Sequence, residues 1–267
     1  NGIGSTPSIS VSGILPSTSK TEYPEAQWQI KNPLNLGVSE EKVKRLFDLS
    51  FADSATQGVV LIKDGFLIGE RYAEGFEKSS YGTSWSMAKS FYASLIGISI
   101  DRGEINSLDD KVADYLDYFG DQRAEISLRD LLDMTSGLEM PDHEHENMFF
   151  SGDHLAYARD VGVEKPAGQK FEYNNVNSML LADILEQATG QKADVLLKQR
   201  VFDKIGLTDV TLWQDSAGNP LTYCCVDTTA RQYSRFGLLF ARSGNWNGEQ
   251  IISEDYVNQT FSKVWDG

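Results

Sequence analysis

Residues 86–100, SMAKSFYASLIGISI, are apolar or small almost throughout, and their only charge is Lys89. Met87, Phe91, Leu95 and Ile98 recur at helical spacing, and Gly103 ends the run as a C-terminal cap would. Ala88, Tyr92, Ile96 and Ile100 carry the apolar surface round the other side, so the segment predicts a buried helix that the rest of the chain must enclose. Burial disfavours an ammonium and lowers its pKa. The positive end of the helix dipole acts in the same direction on a cation in the first turn. Residues three apart share a helix face, so the hydroxyl of Ser86 and the amine of Lys89 can meet. A lysine kept partly neutral beside a serine can act as its general base, and the pair is expected to be a nucleophile with its activator.

The S-x-x-K spacing arises by chance about once in a chain of this length at ordinary serine and lysine usage. Here it occurs three times. Ser17/Lys20 sits in a polar tail with no apolar helix behind it. Ser39/Lys42 reads as an N-cap followed by acidic residues and a solvated lysine. Only Ser86/Lys89 opens a buried helix.

A chain of 267 residues suits one large domain or two subdomains sharing a core. The net charge of −15 and pI near 4.6 argue against nucleic acid or an anionic membrane as partner. No run is long and apolar enough to span a bilayer. Cys224 and Cys225 are the only cysteines and are adjacent; a bond between neighbours would be strained, so two small buried thiols are expected. The first residue is Asn, consistent with a removed start or targeting segment. The opening, rich in Ser, Thr, Gly and Pro, reads as a tether or draped arm and is compatible with export.

Residues 39–52 form an amphipathic helix pattern. Residues 58–75 read as a hairpin around Asp64-Gly65, a type I′ turn signal. Val59 to Ile62 are apolar without alternation, which predicts a strand covered on both faces. From Ser86 to about Leu207 the signals are mostly helical, in DDKVADYLDYF, SLRDLLDMTSG, VNSMLLADILEQATG and KADVLLKQRVFDKIG. A helix capped by Asp227 is expected over 227–244 and a surface helix over 253–261. The order is α+β rather than alternating βαβ. It divides into an arm over 1–38, an α/β subdomain from 39–83 and 208–267, and a helical subdomain over 84–207.

In KPAGQKFEYNNVNSMLL, residues 165–181, Tyr173 and Asn175 stand just before a helix. A tyrosine beside a lysine can relay protons, and an asparagine offers both a donor and an acceptor to a substrate amide. On this pattern alone Tyr173 could equally be a half-buried aromatic and Asn175 a cap. A second Y-x-N, at Tyr256, falls inside the surface-helix pattern.

SMAK at 86–89 and YNN at 173–175 together resemble the serine β-lactamase and penicillin-binding-protein superfamily. The Y-x-N form is that of the class C branch. The flanking segments SLRDLLDMTSGL, PAGQKFEYNN and TTARQYSRFGLLFARSGNWNGEQIIS resemble β-lactamase-related hydrolases such as family VIII esterases and 6-aminohexanoate-dimer hydrolases. The resemblance implies an α+β fold, with an antiparallel sheet flanked by helices beside a mostly helical subdomain. It also implies a serine hydrolase that works through an acyl-enzyme on a small ester or amide, without a cofactor. Ser86 would be the nucleophile, Lys89 and Tyr173 would share acid–base work, and Asn175 would orient the substrate. The backbone N–H of Ser86 would be one oxyanion donor. The same core residues serve β-lactamases and D-alanyl-D-alanine carboxypeptidases.

The superfamily's third motif, a K-T-G or H-x-G tripeptide on a strand, has no counterpart here. Arg242-Ser243-Gly244 ends a helix pattern, and Thr135-Ser136-Gly137 lies in the helical part. The natural protein is therefore expected to continue past Gly267, or to be completed by a second polypeptide, with the sheet left open beside the hairpin. Two other readings compete. His143 and His145, with Asp142 or His154, are candidate ligands of a metallohydrolase. A non-catalytic module that binds acyl ligands is the third.

Overall fold

The structure, a computed structural model, describes residues 22–262; Ser17, Lys20 and most of the expected tether lie outside the described residues. The described part of the arm is fastened to the body. Trp28 is buried, and its Nε1 donates to the Arg231 carbonyl at 2.8 Å. Arg235 donates to the carbonyls of Glu25 and Ala26 at 2.6 and 3.2 Å. Gln29 and Lys31 hold Leu67 through backbone bonds of 2.9 and 3.0 Å.

Helix α1 (Glu40–Ser50) starts where Ser39 accepts from the Lys42 N–H at 3.1 Å, so this second S-x-x-K is a cap, as its sequence predicts. Its buried edge, Val43 and Phe47, lies on the hairpin β1 (Gly58–Lys63) and β2 (Phe66–Tyr72). Asp64 and Gly65 both take positive φ, 53° and 86°, as a type I′ turn requires. The expectation for β1 needs correction: all six of its residues are half-buried rather than covered on both faces. Its outer edge has no strand partner among the described residues, and the largest sheet there has three strands.

Strand β3 (Tyr81–Thr83) leads into α2 (Ala88–Asp101). The chain continues through α3 (Leu128–Leu132), α4 (Glu144–Phe149), α5 (His154–Asp160), α6 (Asn175–Met179), α7 (Leu181–Thr189) and α8 (Ala193–Leu197). Then come β4 (Thr211–Leu212), β5 (Val226–Thr229), α9 (Ala230–Ala241), the short pair β6 (Asn245–Trp246) and β7 (Glu249–Gln250), and α10 (Glu254–Thr260). β5 pairs antiparallel with both β3 and β4, which brings the two ends of the helical insertion together. Antiparallel sheets flanked by helices are the architecture expected from the sequence.

Helix α2 is enclosed as predicted, with Phe91, Leu95, Ile96 and Ile98 all buried. Phe91 meets Phe202 edge-on and packs on Phe236. Gly97 has a specific reason to lack a side chain, because a Cβ there would sit 2.4 Å from the Tyr256 ring. Tyr256 is accordingly buried, not on a surface helix, and its hydroxyl donates to the Ala93 carbonyl at 2.6 Å.

Local pattern misleads elsewhere. DDKVADYLDYF yields only two 3-10 turns, Val112–Asp114 and Asp117–Phe119. Two of its backbone groups bond outside the segment: the Val112 N–H donates to Ile126 O at 2.9 Å, and the Tyr118 carbonyl accepts from Arg123 at 2.7 Å. Asp227 does not cap α9. It lies in β5 and accepts from Trp213 Nε1 at 2.7 Å, while Thr229 is the cap. Cys224 and Cys225 are both buried, with their side chains against one another. Among the described residues no helix is long and apolar enough to cross a membrane.

Candidate active site

Ser86 is presented by a pinned and strained approach. Ser84, at the end of β3, donates its N–H to Val226 O at 2.8 Å, and its Oγ accepts from the Val226 N–H at 2.9 Å. Tyr233 clamps the same corner, donating to the carbonyls of Gly82 and Val226 at 2.6 Å each. Trp85 then takes φ 45°, a left-handed conformation that costs a non-glycine residue of order 1–3 kcal/mol. The turn Trp85–Met87 leaves the side chain of Ser86 exposed at the mouth of α2.

Lys89 Nζ lies one helical turn on and has three acceptors: Ser86 Oγ at 3.0 Å, Asn175 Oδ1 at 2.8 Å and the Tyr223 carbonyl at 2.8 Å. Burial holds the ammonium below its usual range, against the opposing pull of the Tyr173 phenol and the Glu144 carboxyl. The Tyr173 ring centroid is 5.0 Å from Nζ. An amide oxygen and a backbone carbonyl can only accept, whereas a serine hydroxyl can also donate. Loss of one proton leaves Lys89 with two N–H bonds for the two carbonyl oxygens and a lone pair aimed at Ser86.

The two asparagines of YNN divide the work. Asn174, not Asn175, is the N-cap of α6: it accepts from the Val176 N–H and donates to Glu139 O at 3.1 Å. Asn175 is thereby the first residue of the helix and free to reach Lys89. Tyr173 is set by the loop before it. Glu172 N donates to Met134 O, Gly168 N to Thr135 O and Lys165 N to Gly137 O, so residues 164–172 are laced to 134–137. Ser136 donates to Asn177 Oδ1 at 2.6 Å and joins that loop to α6. The Thr135-Ser136-Gly137 triplet is thus a buttress.

All four predicted site residues, Ser86, Lys89, Tyr173 and Asn175, converge. Three further groups join them: Tyr223 and Glu144, which sequence reasoning did not find, and His145, which it offered only as a metal ligand. Tyr223 contributes its backbone carbonyl, which no side-chain motif can signal. His145 Nδ1 lies 2.5 Å from Asn175 Nδ2, and 3.3 Å from the carboxylate of Glu144. Glu144 is buried, and burial pushes its pKa up to about 7. The segment that carries His145 folds as a helix, α4, with one face in the site.

The histidines do not gather as metal ligands. Among the described residues no group of three or more His, Cys, Asp or Glu could hold a metal ion. His143 is exposed ahead of α4, and buried His154 pairs its Nδ1 with the Tyr223 hydroxyl at 3.0 Å. Arg242-Ser243-Gly244 is also remote in function: it closes α9, and a Cβ on Gly244 would lie 2.0 Å from Ile252 O. A cavity of about 740 Å³ opens on a different face of α2, along Met87, Ser90, Phe91 and Ser94, and the four converging residues are not among its lining.

A family profile described as Beta-lactamase matches residues 59–261, three quarters of the chain. Over 176 residues the chain is 31% identical to a D-aminopeptidase of Brucella anthropi, covering 60% of this chain and 33% of that protein. Over 241 residues it is 22% identical to a 6-aminohexanoate-dimer hydrolase of Paenarthrobacter ureafaciens, covering 82% of this chain and 60% of that one. A solved structure from Bacillus anthracis, described as a candidate 6-aminohexanoate-dimer hydrolase, superposes with a TM-score of 0.73 at 21% identity, over 90% of this chain and 67% of that one. The chain thus spans between a third and two thirds of these relatives.

Proposed function

Since the chain belongs to the Beta-lactamase family, we propose that it is a serine hydrolase that forms a covalent acyl-enzyme on a linear amide or ester. The observation that carries this reading is the hydrogen-bond set of Lys89: two obligate acceptors and one exchangeable hydroxyl around a desolvated amine. Ser86 Oγ attacks the carbonyl carbon as its proton passes to Nζ of Lys89. The oxyanion is met by backbone N–H donors, of which Ser86 supplies one. As the tetrahedral centre collapses, the bond to the leaving nitrogen or oxygen breaks. That atom takes a proton, relayed from Lys89 by Tyr173. Water then attacks the acyl ester, its proton returns by the same route, and a carboxylic acid departs. Asn175 holds Lys89 in register and offers its remaining capacity to the substrate.

Linear amides are favoured over β-lactams because the relatives reported above are named as a D-aminopeptidase and a 6-aminohexanoate-dimer hydrolase. The test is labelling with a fluorophosphonate followed by peptide mass spectrometry. One phosphonyl group should be found on Ser86 and none in the Ser86→Ala variant. An adduct on a different serine would overturn the assignment.

A further inference from the structure

We propose that His145, backed by the buried carboxyl of Glu144, is a positioning residue that locks the Asn175 amide with its oxygen toward Lys89. The inference rests on the serine–lysine reading above and extends it by one layer.

The amide orientation is decided by what faces each end. Lys89 Nζ, a donor, lies 2.8 Å from one end of the Asn175 amide, so that end is the oxygen. The nitrogen end then points at His145 Nδ1, 2.5 Å away. For this contact to be a hydrogen bond, Nδ1 must accept, so the imidazole is neutral and carries its proton on Nε2. Burial and the neighbouring Lys89 both lower the His145 pKa, which favours that form. A protonated His145 would set N–H against N–H. The amide would then lose its partner or turn over, and Lys89 would face a donor.

Glu144 decides which of these states persists. Its Oε2 is 3.3 Å from the same Nδ1, yet neither carboxyl oxygen has a hydrogen-bond partner among the described residues. As an anion it would draw a proton onto Nδ1 and favour the charged form of Lys89; as a neutral acid it does neither. The charged and titratable groups that surround it are Lys89 from α2, Tyr157 from α5, Tyr223 from the loop before β5, and His145 and Glu146 on its own helix. An unpaired buried carboxyl costs stability. Its place behind the histidine gives that cost a role.

The experiment is the rate of fluorophosphonate labelling of Ser86 as a function of pH, in the wild type and three variants. His145→Phe removes the acceptor and should slow labelling about tenfold or more, the scale of one lost hydrogen bond. His145→Gln retains an acceptor oxygen and should recover most of that loss. His145 is partly exposed, so neither change opens a sealed cavity. Glu144→Gln removes the anion that favours the Lys89 ammonium, so the acidic limb of the profile should move to lower pH. A role in packing alone would leave that limb in place. Equal rates in wild type and His145→Phe, equal losses in the Phe and Gln variants, or an unmoved limb in Glu144→Gln would each overturn the proposal. Absence of labelling at Ser86 in the wild type is a different result, which removes the underlying reading and this one with it.

Discussion

The side-chain oxygen of Asn175 accepts a 2.8 Å hydrogen bond from Nζ of Lys89, across 86 residues of sequence. Each partner sits at the start of a helix, Asn175 on α6 and Lys89 on α2, so the bond fixes the two helix mouths against each other. It also sets how many protons Lys89 can hold without a mismatch. The proposed chemistry follows from that count.

Lys89→Met and Tyr173→Phe should leave substrate binding nearly intact and slow turnover. Loss of a general base or relay costs about 10²–10⁴ in rate. Steady-state kinetics with an activated ester or amide check this through kcat against KM. Wild-type kcat in Tyr173→Phe would reduce Tyr173 to a packing role.

The two described S-x-x-K serines should separate by effect. Ser39 caps α1 through the Lys42 N–H, so Ser39→Ala should cost about 1 kcal/mol in stability and leave labelling unchanged. Ser86 is exposed and caps nothing, so Ser86→Ala should change stability by less than about 0.5 kcal/mol while abolishing labelling. Urea melts beside the labelling assay give both readouts.

Stability should carry the signature of Glu144. Its pKa in the folded chain, about 7, exceeds its ordinary 4.5. Between those values the native state binds more protons than the unfolded chain. The contribution is therefore fully present below pH 4.5 and is lost as pH rises through 7, by up to about 3 kcal/mol. Glu144→Gln lacks this slope, so relative to wild type it should gain stability between pH 5 and pH 8. A stability difference between the two proteins that is the same at both pH values would contradict the burial of an unpaired carboxyl.

Gly137→Ala should damage the Tyr173 side of the site without touching its chemistry. Gly137 has φ 71°, and a Cβ there would lie 2.0 Å from the Lys165 carbonyl, which belongs to the loop that precedes Tyr173. The strain should cost about 1–3 kcal/mol and lower kcat more than it changes labelling of Ser86. An alanine variant with wild-type melting would show that this loop has room to shift.

What the sequence determined by itself is what depends on a few neighbouring positions. The period of Phe91, Leu95 and Ile98 dictates a buried α2 wherever the rest of the chain lies, and Ser86 and Lys89 meet because residues three apart share a face. The Asp64-Gly65 turn and the Ser39 cap are local in the same sense. Tertiary structure decided the rest. Tyr223 serves through a carbonyl, a group that every residue carries, so only the path of the chain could select it. Asn174 and Asn175 are chemically identical, and which one caps α6 depends on how the chain enters the helix. Residues 112–119 have a helical pattern but close only two 3-10 turns, with the Val112 N–H and the Tyr118 carbonyl bonded outside the segment. Glu144 reads as one acid in an acidic run. It becomes a group that titrates near neutrality only because folding takes its carboxyl out of water and gives it no hydrogen-bond partner among the described residues.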